Sequence, residues 1–116
     1  MAKRKTEAAR GTAIIRGTGN VFADLGYADA EERQTKLRLA HAINGIVERQ
    51  RMTQAAAANK LGINQPKVSA LANYKLDGFS VERLMTFLTA LDQDIEIVIK
   101  RKPKSRSVAR ISVIAA

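Results

Sequence analysis

The side chains in this sequence that can do chemistry are hydrogen-bonding groups and cations rather than nucleophiles. None of the 116 residues is a cysteine, which excludes disulfides, thiolate metal sites and thiol catalysis, and His41 is the single histidine. A catalytic or metal-binding histidine needs convergent partners, yet no Ser/His pair, paired carboxylates or phosphate-cradling loop accompanies it. The expectation is a non-enzyme without cofactor or metal, in which His41 is an ordinary helix residue. Between positions 48 and 75, by contrast, Arg49, Arg51, Lys60, Lys67 and Lys75 meet only one acid, Glu48. The same stretch carries Gln54, Asn64, Gln65 and Ser69, which can donate and accept hydrogen bonds.

The whole chain carries a formal charge of +9, unevenly distributed. Residues 1–16 hold five bases against Glu7, and residues 100–116 hold six bases and no acid, so the middle is close to neutral. Such a balance favours an anionic partner, although the two ends could clamp phosphates, follow a groove or remain solvated tails. No apolar run approaches the ~18 residues of a membrane span, and the N-terminus lacks the apolar core of a secretory signal. A soluble, cytoplasmic protein with no membrane role is expected.

The elements that must position these residues follow from periodicity and punctuation. Residues 1–18 read as a basic flexible arm, 19–91 as a helical domain and 92–116 as a C-terminal strand or strands with a basic segment. Val21, Phe22 and Leu25 suggest one short turn ended near Gly26. Asp29 and Glu32 have capping-box spacing, so a first long helix is expected from near Ala30 to near Arg51, with Leu37, Leu39, Ala40, Ile43, Ile46 and Val47 on its apolar stripe. Thr53 can cap a second helix that runs through four alanines to Leu61, and Gly62 can stop it. Asn64 can cap a third helix beginning Gln65-Pro66-Lys67, where an early proline forfeits no needed N–H. Val68 and Leu71 face inward on that helix, leaving Gln65, Lys67 and Ser69 on or beside its exposed N-terminal half, the candidate reader. Asn73 to Phe79 reads as a linker, and Ser80 can cap a fourth helix carrying Val81, Leu84, Met85, Leu88 and Leu91. Ile95 to Ile99 is β-branched and largely alternating, which predicts a strand whose partner would be Val108 to Ile114 or a second subunit.

The run from Thr53 through Leu61-Gly62-Ile63-Asn64-Gln65-Pro66-Lys67-Val68-Ser69 resembles the helix-turn-helix of XRE (Cro/repressor-like) regulators. Three further segments, Gly19 to Gly26, Gly78-Phe79-Ser80-Val-Glu-Arg-Leu84 and Leu91 to Val98, are similar to HigA-like antitoxins within that family. The resemblance implies a mainly α, repressor-like helical bundle, with the C-terminal strand used in dimerisation and the third helix in the major groove of double-stranded DNA. A homodimer on a palindromic operator is the implied assembly. Gln54 and Gln65 match the two glutamine positions that begin the paired helices. On that footing Gln65 can pair with adenine N6/N7 and Lys67 with guanine O6/N7, while Gln54, Asn64 and Ser69 can reach phosphate oxygens. Pro66, Asn73 and Lys75 complete the expected DNA-binding set. Pro66 and Ala70 depart from the family pattern, which often has polar residues there, so sequence preference would lean on DNA shape or on the arms.

The resemblance also implies an autoregulating antitoxin that binds a HigB/RelE-type toxin. Asp24, Asp29, Glu31 and Glu32 near Phe22 could face such a basic partner, or Val21, Phe22 and Leu25 could fold onto the chain's own core. Two other readings stand beside it: a stand-alone repressor with no toxin, and a nonspecific nucleic-acid binder acting through its basic tails.

Overall fold

The computed structural model describes residues 21–115, with side chains from Asp29 onward. The expected arm over residues 1–18 and the side chains of Phe22 and Asp24 lie outside the described residues. Among the described residues there are four helices: α1 (Val21–Arg49), α2 (Gln54–Leu61), α3 (Gln65–Ala72) and α4 (Val81–Ala90). By compactness the chain divides into two units, Met1–Arg33 and Gln34–Ala116.

In the first unit the start of α1 corrects the sequence reading. The helix begins at Val21, not near Ala30, and continues through Gly26 and Asp29. A single interior glycine costs only ~1 kcal/mol against alanine, which the helix-forming Ala and Glu residues around it can absorb. Asp29 therefore caps nothing. It lies one turn before Arg33 and pairs with it at 3.1 Å, an exposed i,i+4 contact of small energetic weight.

The second unit is built around an apolar core to which every helix contributes. Leu39, Ala40, Ile43 and Ile46 from α1 meet Leu61 of α2, Leu71 of α3 and Leu84, Phe87, Leu88 and Leu91 at α4. Ile43, Leu71, Leu84, Phe87 and Leu91 are its fully buried large side chains. The segment between α3 and α4, a linker by sequence, supplies Leu76 and Phe79 to the same core. Leu37, counted with the apolar stripe, instead points outward.

All four helices end alike. Arg51, Gly62, Tyr74 and Asp92 each take a positive φ, between 55° and 72°. After α1, α3 and α4 the left-handed residue donates three residues back and its successor five back: Arg51 to Glu48 and Met52 to Val47, Tyr74 to Leu71 and Lys75 to Ala70, Asp92 to Thr89 and Gln93 to Leu88. After α2, Gly62 and Ile63 both donate to Ala58. This is the Schellman-type ending, which satisfies carbonyls left open at a helix C-terminus. Only one of the four positions is glycine, so the other three hold an L side chain in a region costing ~1–2 kcal/mol.

Beyond α4 the expected strands are not found among the described residues. Ile97, Val98 and Ile99 are exposed by 76%, 75% and 93%, and the alternation of residues 95–99 finds no ladder partner among the described residues. Val108 to Ile114 does not pair with it; Val113 packs against the helical core instead. A strand pattern states a capacity, and backbone pairing needs a neighbour to realise it. Lys102 ties the intervening basic loop, donating to the carbonyls of Pro103 at 3.2 Å and Arg106 at 2.6 Å. Among the described residues no helix is long and apolar enough to cross a membrane.

The helix endings give a paired expectation for denaturant unfolding. An added Cβ at Gly62 meets nothing within 4 Å, so Gly62→Ala tests backbone strain alone and should lower stability by about 1–2 kcal/mol. Arg51→Gly should act in the opposite direction, by up to about 1 kcal/mol, since glycine accepts the same φ without the side-chain clash.

Candidate nucleic-acid interface

The α2–turn–α3 unit is built from local signals that agree. Thr53 Oγ1 accepts from the Ala56 N–H at 3.0 Å, and Asn64 Oδ1 accepts from the Lys67 N–H at 2.9 Å. Gly62, at φ 72° and ψ 32°, ends α2 between them. Ala57 and Ala58 are buried against Val68, and Val47, Met52 and Ile63 close around this contact. Methyl side chains let α2 approach α3 closely, which explains the alanine run by packing. Neither α2 nor α3 has an acid in its first turn, so the partial positive charge of the exposed N–H groups is unopposed there.

On α3 the burial pattern sets the outward face. Val68 and Leu71 are buried, so at 3.6 residues per turn the opposite crest carries Pro66, Ser69, Ala70 and Asn73; of these Pro66 and Asn73 are exposed, whereas Ser69 and Ala70 are half-buried and Ala70 packs against the core. Gln65 and Lys67, two positions apart, fall on opposite flanks of that crest rather than side by side. Both are exposed, as are Asn64 and Pro66. Asn64 through Lys67 are thus gathered on one helical turn. Gln54 is exposed at the start of α2, and Lys75 is exposed in the loop beyond Tyr74. Ser69 is half-buried, and its carbonyl accepts from the Asn73 amide at 2.9 Å, which commits one Asn73 donor inside the protein.

Several contacts that frame this surface are not legible from spacing. The Asn44 amide of α1 donates to the Leu71 carbonyl at 3.1 Å, and a 3.3 Å hydrogen bond joins His41 Nδ1 to the Tyr74 hydroxyl. Together they fasten the C-terminal end of α3 to α1, giving His41 a structural place at the end of α3. Lys67 Nζ lies over the Phe79 ring, 5.7 Å from its centroid, and the Arg83 guanidinium lies over Phe87 at 5.3 Å. The two rings meet edge to face, 5.9 Å apart at 78°. By sequence Phe79 closes a linker and belongs to a segment similar to HigA-like antitoxins; in the structure its ring is also a support for a cation on α3.

Comparison with known proteins bears on the same segment. The family model for a helix-turn-helix domain matches residues 21–100. A solved structure described as a "Putative XRE Family Transcriptional Regulator" is 75% identical, with a TM-score of 0.73, over 76% of this chain and 99% of that one. No curated protein matches the chain. The chain belongs to the XRE family of helix-turn-helix proteins.

The Asn64 cap gives a stability expectation independent of any ligand. Asn64→Ala removes the acceptor for the Lys67 N–H and should cost about 1 kcal/mol in denaturant unfolding. Asn64→Asp keeps an acceptor and adds a carboxylate at a helix N-terminus, and should leave stability within about 0.5 kcal/mol or raise it.

Proposed function

We propose that this XRE-type helix-turn-helix protein is a transcriptional regulator that reads double-stranded DNA with the first turn of α3. The observation that carries the reading is the capped, acid-free turn Asn64 to Lys67, which exposes an amide, a proline ring and an ammonium together. Gln65 and Lys67 are the base readers in this proposal, suited to adenine N6/N7 and guanine O6/N7 respectively. The Asn64 Oδ1 is occupied by the cap, so its Nδ2 donors are the part that would face a phosphate. Gln54 and Lys75 would add backbone contacts on either side. The exposed part of the crest, Pro66 and Asn73, offers few free donors, which favours apolar contact with thymine methyl groups and recognition of groove shape.

One helix-turn-helix covers only a half-site, so the functional species is proposed to be a homodimer on a palindromic operator, its two α3 helices about 34–36 Å apart. The exposed Ile97, Val98 and Ile99 form the apolar run assigned to the second copy. A second reading, an antitoxin that binds a HigB/RelE-type toxin, draws on the segments similar to HigA-like proteins and on Asp29 and Glu32, which are exposed on α1. Failure of the purified protein to bind the product of an adjacent toxin-like gene would remove that reading and leave the regulator intact.

A salt-resolved titration against the DNA upstream of the gene, beside a scrambled duplex, tests the main proposal. The upstream duplex should bind more tightly. Gln65→Ala/Lys67→Ala should weaken that complex by about 1–3 kcal/mol for each base pair no longer read, and should reduce discrimination between the duplexes. Equal affinity for both duplexes, unchanged by the substitutions, would reduce the activity to charged tails on phosphate. For the assembly, sedimentation equilibrium at micromolar concentration should give a dimer that Ile97→Lys/Ile99→Lys converts to monomer; a dimer unaffected by the change places the interface elsewhere.

A further inference from the structure

We infer that Phe79 is a positioning residue for DNA recognition: its ring face seats the Lys67 ammonium beside the exposed turn of α3. The inference rests on the proposed role of that turn. Lys67 leaves α3 on a flank, and its Nζ stands 5.7 Å from the Phe79 centroid, inside the ~6 Å range in which a cation is attracted to an aromatic face. The ring is itself held by packing. Phe79 is 5% exposed, sits in the core cluster and meets Phe87 edge to face. Its backbone N–H donates to Leu76 at 3.0 Å, and the next residue, Ser80, caps α4 by accepting from the Arg83 N–H at 3.0 Å.

The chemistry of the seat matters as much as its position. A lysine is a point charge on a long flexible stem, poorly defined as a reader unless something holds it. A carboxylate could hold it, but would neutralise the charge and repel phosphate. An aromatic face restrains the ammonium electrostatically while leaving its charge in place and N–H donors free for acceptor oxygens. Among the described residues Lys67 makes no ion pair, so the ring is its side-chain partner. Holding the cation before DNA arrives lowers the ordering cost of binding, the general advantage of preorganisation. The acceptor is a guanine edge or a phosphate oxygen, and salt dependence separates them: removing a phosphate interaction flattens the salt slope, whereas removing a base interaction erodes sequence preference.

The test is a double-mutant cycle with wild type, Phe79→Leu, Lys67→Met and the double variant, each titrated with the upstream and scrambled duplexes. Phe79→Leu should weaken the upstream complex about three- to tenfold, and Phe79→Tyr, which keeps the ring, should restore wild-type affinity. In the Lys67→Met background Phe79→Leu should change affinity less than about twofold, because the residue it acts through is gone. In the free wild-type protein the Lys67 Hε protons should resonate upfield of the other lysines, a ring-current signature that needs no substitution of a core residue. Ordinary Lys67 shifts would overturn the seat, as would an undiminished effect of Phe79→Leu in the Lys67→Met background. A wild type that does not distinguish the duplexes would overturn the reading of α3 itself. A discriminating wild type with an indifferent Phe79→Leu would overturn only the positioning role.

Discussion

The positive φ of Gly62 is the constraint on which the rest of the interface depends. It ends α2 after eight residues and turns the chain so that Ile63 can plug the corner and Asn64 can begin capping α3 at once. The two helices then cross closely enough for Ala57 and Ala58 to pack on Val68, a contact that larger side chains would hold apart. Because Val68 and Leu71 are thereby fixed inward, the exposed crest and flanks of α3 are determined as well. The surface that can meet a ligand is the remainder left by this packing.

The other end of α3 is held by different means. Tyr74 takes the left-handed conformation without being glycine, and its hydroxyl reaches His41 while Asn44 satisfies the Leu71 carbonyl. Strained backbone persists where the surroundings over-determine it, and here α1 supplies that determination. Helix α3 is therefore fastened at its start by its own cap and at its end by α1.

What was legible in the sequence was what is decided locally. The caps at Thr53, Asn64 and Ser80 are found where the residue types placed them, because a cap joins one side chain to an N–H only three residues on. The same local reasoning misplaced the start of α1, since Asp29 followed by Glu32 matches a capping box whether or not the helix has already begun. The strand over 95–99 failed for the opposite reason: its pattern was real, but a ladder requires a partner that sequence spacing cannot supply. The core roles of Leu76 and Phe79 were hidden because an irregular segment has no period to mark its inward positions. The basic C-terminal loop shows a related limit of composition, for Lys102 and Arg106 direct donors to carbonyls of their own loop, so counted cations overstate the N–H donors offered outward even though their charge remains.

If α3 reads DNA as proposed, its sparse crest has a consequence for how recognition is coupled to the fold. With the Pro66 ring on the exposed crest and Ala70 turned to the core, directional contacts fall to the flanks, and the cationic flank carries lysine rather than the planar, self-orienting fork of arginine. A lysine gains direction only from what lies beneath it. Beneath it is Phe79, itself positioned by Phe87, one of the most buried side chains of the core. The path from Phe87 through Phe79 to Lys67 therefore links interior packing to the recognition surface in two steps. Substitutions in this part of the core would then alter selectivity as well as stability.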